Sequence, residues 1–568
     1  MEKKTTMVSA ISLILVVGVA LGVVAYVSTG NDDPGTATDD GGKVTTHTKA
    51  VQAVCQNSDD KKFCSDTFTS VNSSDPTAYV KTVVRNTMDG VIKAFNLSDT
   101  LTIQNSKSNS TVKMALEDCK DLLEFAIDEL EASEILVKEN NINNINDRVS
   151  ELKNWIGAVV AYQQSCLDGF DSDKEKDMQS KLQTQGLDDV GKLTALALDV
   201  VSSFAEILSD FNLDLTTKTS SRRLLDLEQD GYPSWLSMPD RKLLADAGKG
   251  GSVTPNVIVA KDGSGDYKTV LDAINSYPKN QQGRYIIYVK AGTYDEYITV
   301  DKKKPNLLIY GDGPTKTIIT GNKNVVDGFR TMRSATFATV GDDFIAKSMA
   351  FENTAGAVKH QAVALRVQGD RSVFYDCAMH GYQDTLYTHA HRQFYRNCEI
   401  SGTVDFIFGY GTTLIQNSKI IVRKPDANQQ NIIVADGTDQ KNMPTGAVLQ
   451  NCEIVAAPEL EPQKKTFKSY LARPWKAYSR AIFLENTISD VIQPDGYLPW
   501  NGNMFLDTCY FAEYQNTGAG ADVKARVKWG RGVLSKADAS KFTADTWLQA
   551  NTWLPATGVP FDLGLSKA

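Results

Sequence analysis

A short strand pattern recurs in the second half of this chain and restricts its fold more than any other feature. The segments VFYDCAM, QFYRNCEI, LIQNSKI and VLQNCEI place Cys377, Cys398, Ser418 and Cys452 at steps of 21, 20 and 34 residues. A period near 20, with alternating or aliphatic strands and Asn/Gly turns, marks a solenoid whose coils stack equivalent positions on one another. The pattern predicts a parallel β-helix, with the step of 34 needing a longer loop on one coil.

The stretch from Gln361 to Gly409 carries the chemistry. QDTL (Gln383 to Leu386) and DFIFG (Asp405 to Gly409) each set a carboxylate in an apolar or aromatic context. Burying an ion without a partner is expensive, so Asp405, followed by Phe406, Ile407 and Phe408, needs a cation from elsewhere. LARPW (Leu471 to Trp475) offers Arg473 beside Trp475. Gln361 precedes Gln383 by 22 residues, and Gln383 precedes Asp405 by 22. One coil apart, Gln361, Gln383/Asp384 and Asp405 would form a ladder on one face. Two acids, two amides, a guanidinium and an indole suit acid/base and nucleophilic chemistry on a sugar ring. The blander reading keeps the Asn and Cys repeats as solenoid core with the acids in its turns. The functional match of the residues at this spacing disfavours it.

Other chemistries lack their signatures. There is no G-x-S-x-G elbow. His360, His380, His389 and His391 flank the central stretch without metal-ligand spacing and read as packing or solvent-exposed residues. GSGD (Gly263 to Asp266) and GDGPTK (Gly311 to Lys316) have too few glycines at the right spacing for a dinucleotide or P-loop site. No cofactor, metal or nucleic acid is expected, since the basic residues are dispersed.

The first half is a different kind of sequence. Met7 to Val27 has no charge and follows Lys3 and Lys4. It is long enough to cross a bilayer as a helix, which favours a signal anchor over a cleaved signal peptide within residues 1–30. Either directs the rest of the chain into the secretory pathway, and any membrane contact is through this segment alone. A polar linker spans 31–48. Over 49–216 apolar residues recur at helical spacing: Val80, Val83, Val84, Thr87, Val91 and Phe95; Leu116, Cys119, Leu123, Ile127 and Leu130; Leu152, Trp155, Val159 and Cys166. Asn/Ser-rich turns between them imply a four-helix bundle.

Four cysteines in an oxidising compartment suggest disulfides. Cys55 with Cys64 would close a short hairpin and Cys119 with Cys166 would join two helices, with other pairings left open. Asn72, Asn96 and Asn109 begin N-x-Ser/Thr acceptors, and none follows the linker.

Residues 217–252 read as a processing linker. Arg222-Arg223-Leu224-Leu225 and Arg241-Lys242-Leu243-Leu244 are near-copies in a polar stretch, and exposed linkers are where proteases cut. Charge supports a boundary there. Before Ala245 there are 24 Lys+Arg against 37 Asp+Glu, a net of −13, and from Ala245 onward 36 against 32, a net of +4. The whole-chain value of −9 therefore hides a mildly basic second domain, 253–568. A basic groove would attract a polyanion.

Taken in order, GxYxE (Gly292 to Glu296), QAVAL, GYQDTLY, DFIFG and RPW resemble the plant pectin methylesterases over roughly the last 320 residues. The helical region and its cysteine spacing resemble the inhibitor-type pro-region found in front of many of them, and the two basic tetrapeptides resemble that family's processing sites. The resemblance implies an all-β right-handed parallel β-helix preceded by an all-α four-helix-bundle pro-domain. The implied enzyme is a cell-wall carboxylic ester hydrolase that removes methyl esters from galacturonosyl units of homogalacturonan. Its implied partners are pectin, its own helical domain or separate inhibitor proteins, and a processing protease.

By the same resemblance, Asp405 attacks the C6 ester to give an acyl-enzyme, and Asp384 protonates the departing methanol and then activates water. Gln361 and Gln383 donate to the oxyanion, Arg473 holds Asp405 ionised, Trp475 stacks on the sugar and Thr331 contacts substrate. Opposite protonation states of the two acids would require environments that push them apart.

The sequence departs from the family at Ser418, where a second cysteine is expected, at GYGTTLIQNS after Phe408, and at Ala472 in place of Gly. These bear on the coil beside Asp405 and leave Cys377, Cys398, Cys452 and Cys509 as free thiols in core or ladder positions. Two other readings compete: a catalytically silent pectin-binding β-helix, and a pectate lyase or polygalacturonase. The complete set of six site residues and the QDTL/DFIFG/RPW combination disfavour them.

Overall fold

The computed structural model describes residues 47–105, 111–138, 142–170, 175–211, 213 and 254–566, all within one compact unit, Val44–Ala568. The apolar segment Met7 to Val27, the linker residues Arg222, Arg223, Arg241 and Lys242, and Asn109 lie outside the described residues. No helix among the described residues is long and apolar enough to cross a membrane.

The repeat folds as its period predicts. Three parallel sheets of 11, 7 and 8 strands form the faces of the solenoid, and successive coils add their strands to the same faces. The face that carries the site contains, in chain and spatial order, β1 (Ile298–Val300), β2 (Phe337–Thr339), β3 (Leu365–Val367), β4 (Leu386–Thr388), β5 (Ile407–Gly409), β6 (Asn431–Asp436) and β7 (Ser469–Ala472). Its register aligns Leu365, Leu386, Ile407, Val434 and Ala472.

The recurring Asp/Asn-Cys/Ser pairs are corners of the coil. Asp376, Asn397, Asn417 and Asn451 all adopt φ between 51° and 54°, the left-handed region where Asp and Asn are tolerated best among residues with a Cβ. Each turns the following side chain into the core. Cys377, Cys398, Cys452 and Cys509 are free and buried there. Ser418 keeps the missing cysteine's place, since its Oγ accepts from the Cys398 N–H at 3.0 Å and donates to the Gln416 carbonyl at 2.8 Å. Ala472 is fully buried in β7. Gly409 is obligatory: at φ 141° an added Cβ would lie 2.1 Å from the Thr388 carbonyl oxygen. The helices Lys536–Ala539 and Ala544–Leu548 pack Phe542, Trp547 and Trp553 along the outside of the coil, while Trp529 packs against the interior core.

The helical region is a bundle of α1 (Thr77–Gln104), α2 (Thr111–Lys138), α3 (Val149–Asp168) and α4 (Asp188–Ser202), with a helical hairpin, His47–Cys55 and Lys61–Phe68, in front. Val80, Val83, Val84, Val91, Leu116, Cys119, Leu123, Leu130, Leu152, Val159 and Cys166 form its core, and Thr87 is buried too. Cys55 is bonded to Cys64, and Cys119 to Cys166. Asn72 and Asn96 are exposed.

Candidate active site

Stacking brings the two carboxylates together. Leu386 pairs with Ile407, so Asp384 and Asp405, each two residues before its strand, occupy the same position on consecutive coils. Both have left-handed backbones, φ 62° and φ 50°, so one turn geometry presents both side chains. The Asp384 N–H donates to the Val404 carbonyl at 3.0 Å, and the Phe406 N–H to that of Ile432 at 3.2 Å. Phe406, wholly buried, anchors the second turn. The ladder anticipated from steps of 22 is thus one of 21 for the acids. Gln361 stands one residue further from its strand than Gln383 does, which is why its step to Gln383 is 22.

Asp384, Asp405, Gln361, Gln383, Thr331, Arg473 and Trp475 all line one cavity of about 400 Å³. Both aspartates are buried, at 7 % and 6 % exposure. Arg473 grips Asp405 with two prongs: Nε donates to Oδ1 at 2.8 Å, and the second donor reaches Oδ2. A planar guanidinium is suited to this two-point contact. Arg473 follows β7, and its own N–H donates to the Val434 carbonyl at 3.0 Å, so the sheet register sets where the guanidinium starts.

Several lining residues were not singled out from sequence. Trp500 lies under the Arg473 guanidinium, 4.2 Å from its ring centroid, and holds that plane by a cation–π contact. Tyr387 and Phe408, equivalent on adjacent coils, stack at 4.4 Å and 14°. Their 21-residue spacing is visible in the sequence. Trp475 packs on Tyr410 at 4.9 Å and Phe408 at 6.0 Å, so the GYGT segment supports a residue of the cavity wall.

The remaining wall comes from the bundle. Asp118, Ser165, Asp168 and Gly169 line the same cavity, so the C-terminal end of α3 lies over the carboxylates. Asp168 accepts from Lys476 at 2.7 Å and from the Tyr410 hydroxyl. Ser165 bonds the Tyr387 hydroxyl at 3.0 Å and His389 Nε2 at 2.9 Å. His391 Nε2 contacts Glu129 at 3.1 Å. His389 and His391 therefore pack as the sequence suggests, but against the other domain. Burial lowers the His391 pKa, and the Glu129 carboxylate, with Asp370 and Asp342 adding to it, outweighs that effect and raises it to about 9. Buried Arg330 pairs with buried Glu175, and Arg333 with Asp118.

Residues 256–551 match the family model described as Pectinesterase, and residues 49–200 match Plant invertase/pectin methylesterase inhibitor. The chain is 40% identical to "Probable pectinesterase/pectinesterase inhibitor 21" of Arabidopsis thaliana, over 99% of this chain and 83% of that one. It is 39% identical to "Probable pectinesterase/pectinesterase inhibitor" of Brassica napus, over 98% of this chain and 99% of that one. The solved structure "Pectin methylesterase from Carrot" is 50% identical and covers 56% of this chain and 99% of its own, with a TM-score of 0.55.

Proposed function

The chain belongs to the pectinesterase family, and from that premise we propose that its β-helix hydrolyses methyl esters of galacturonosyl units in cell-wall homogalacturonan, releasing methanol and acidic pectin. The observation that carries this reading is the pairing of Asp384 and Asp405 on consecutive coils, in one cavity, with Asp405 gripped by Arg473. Asp405, aimed and charge-balanced by that grip, adds to the ester carbonyl. Gln361 and Gln383, at the same end of the cavity floor, donate N–H groups to the tetrahedral oxyanion. Collapse expels methanol, which takes a proton from Asp384 and leaves an anhydride on Asp405. Asp384 then deprotonates water, which hydrolyses the anhydride and restores both carboxyl groups. Trp475 and Thr331, on the cavity wall, are placed to hold the sugar.

In this reading the uncut chain is a closed precursor, because the end of α3 occupies space that a polymer must cross. Cleavage after Arg222-Arg223 or Arg241-Lys242 would turn a tethered wall into a dissociable one and remove its high effective concentration. The segment Met7 to Val27 supports delivery through the secretory pathway, with an anchor or a removed leader at its start. The exposure of Asn72 and Asn96 supports glycans on the bundle. The test is methanol release from esterified pectin, without chain shortening, by the chain before and after cleavage at the linker. Absence of methanol after cleavage would refute the esterase reading. Equal rates before and after would refute the closed precursor.

A further inference from the structure

A second cavity, of about 390 Å³, lies between α3 of the bundle and the solenoid. Lys153 and Asn154 of α3 line it with Arg392, Arg480 and Trp547 of the β-helix, and no Asp or Glu is among its lining residues. Two further lysines at its rim, Lys441 and Lys541, are paired with Asp59 and Asp538. Arg392 is neutralised by Asp370, with Nε to Oδ1 at 3.0 Å and the second contact at 2.6 Å. Lys153 and Arg480 remain. Among the described residues Lys153 makes no ion pair. Among the described residues the Arg480 guanidinium donates only to main-chain carbonyls, of Met443 at 3.3 Å and of Thr445.

The third donor is Asn154. It is 4 % exposed, and its Nδ2 has no partner among the described residues. Buried amide donors are almost always satisfied, and Lys153 and Arg480 repel each other here, the nearby Asp436 lying on the Arg480 side and not lining the cavity. The Lys153 ammonium shows this, held below its ordinary range by burial and by the charge of Arg480. The cavity thus presents two positive groups and an N–H without a partner among the described residues, and no carboxylate lines it.

We propose that this cavity binds a compact oxyanion that bridges Lys153 and Asn154 of the bundle to Arg480 of the solenoid. Two sources share this chemistry: the carboxylate of a de-esterified galacturonate, and inorganic phosphate. Because its walls come from both domains, the ligand binds the closed chain and not the separated domains, and by mass action it holds the bundle on the enzyme. With the first source, the reaction's own product would latch the uncut precursor. That consequence, and only that one, rests on the function proposed above.

The test is calorimetric titration of the uncut full-length chain with galacturonate, with phosphate and, as a neutral control, with galactose. At least one anion should bind and galactose should not, and the anion that binds identifies the source. Lys153→Met should weaken that binding at least tenfold, the loss expected for one charge-assisted contact. Lys153→Arg should retain it, and Asp405→Asn, in the catalytic cavity, should not change it. Should Lys153→Met fail to fold, Asn154→Asp, which sets a negative charge at the site, must lower affinity by as much. Absence of binding by both anions, an unchanged affinity in Lys153→Met, or binding lost in Asp405→Asn would each overturn the proposal. Methanol release by the cut chain reads the esterase function separately, so failure of one is distinguishable from failure of the other.

Discussion

Asp384 and Asp405, on the floor of the catalytic cavity, are neighbours because a 21-residue coil repeats and its strands pair in register. Ser165 and Asp168, on the roof, reach the same space from a helix of another domain and are held by side chains alone. The floor is therefore fixed by backbone hydrogen bonds and a wholly buried core, which change little with salt or pH. The roof combines an apolar contact with Ala390, Tyr410 and Met443 with a set of charge pairs. Every ion pair described between the two domains sets a bundle carboxylate against a solenoid cation: Asp59 with Lys441, Asp128 with Lys302, Glu117 and Asp118 with Arg333, Glu175 with Arg330, Asp168 with Lys476, and Glu129 with His391. The lesson is that one cavity can combine a rigid half for chemistry with a conditional half for control.

The largest effect should come from the floor. Asp405→Asn keeps the shape of the turn and removes the nucleophile, so turnover by the cut chain should fall by roughly four orders of magnitude with the fold retained. More than about a tenth of wild-type turnover in the folded variant would remove Asp405 from that role.

Glu175→Gln probes the roof. It replaces the carboxylate paired with Arg330, 7 % exposed, by a neutral amide, and losing one charge-assisted contact costs about 1.5–3 kcal/mol. The uncut variant should then approach the activity of the cut enzyme. An uncut variant as quiet as wild type would show that the roof is not held by charge. Between these two lies Arg473→Lys, which keeps the charge and loses the two-point grip and the Trp500 stack. A kcat lower by roughly a hundredfold with little change in melting temperature is expected. Normal kinetics would make the grip dispensable.

A smaller effect separates floor from roof by pH. Docking brings the Glu129 carboxylate to His391, the largest of the contributions that, with Asp370 and Asp342 of the solenoid, raise its pKa to about 9, above the roughly 6.5 of a free imidazole, so the docked chain holds its proton to higher pH. That contribution is complete below about pH 6.5 and is lost as pH rises through about 9. The groups facing His391 are Glu129 and Tyr162 from the bundle and Asp342, Asp370 and His389 from the solenoid. The activity of the uncut chain relative to the cut one should rise about tenfold across this window, and His391→Gln should flatten the rise. A ratio independent of pH in the wild type would assign docking to the other pairs.

The smallest effect is expected at Ser418→Ala, which removes the acceptor for the buried Cys398 N–H. Stability should fall by about 1 kcal/mol with kcat unchanged, as the coil behind Asp405 is anchored by its register. A fall in kcat would mean that the floor is less rigid than its backbone bonding implies.

Much of this molecule was determined by sequence alone. A period near 20 specifies a solenoid, because a repeated coil can bury its apolar positions only by stacking on its neighbours. It also places Asp384 over Asp405, since register converts separation along the chain into adjacency. Arg473 was legible as the partner of Asp405 because a buried carboxylate requires a cation. The opposite charges of the two halves were legible by counting.

The tertiary structure decided the rest, and the reason is that no period links the two domains. The inhibitor-like sequence and the opposite charges of the halves lead one to expect that the helical domain covers the groove, but nothing in residues 165–168 says that they are the ones to cover residues 384–405. Such contacts depend on how two independently folded surfaces meet. For the same reason, Trp500 under Arg473, His391 beside Glu129, and Lys153 facing Arg480 in a cavity without carboxylates emerged only with the coordinates.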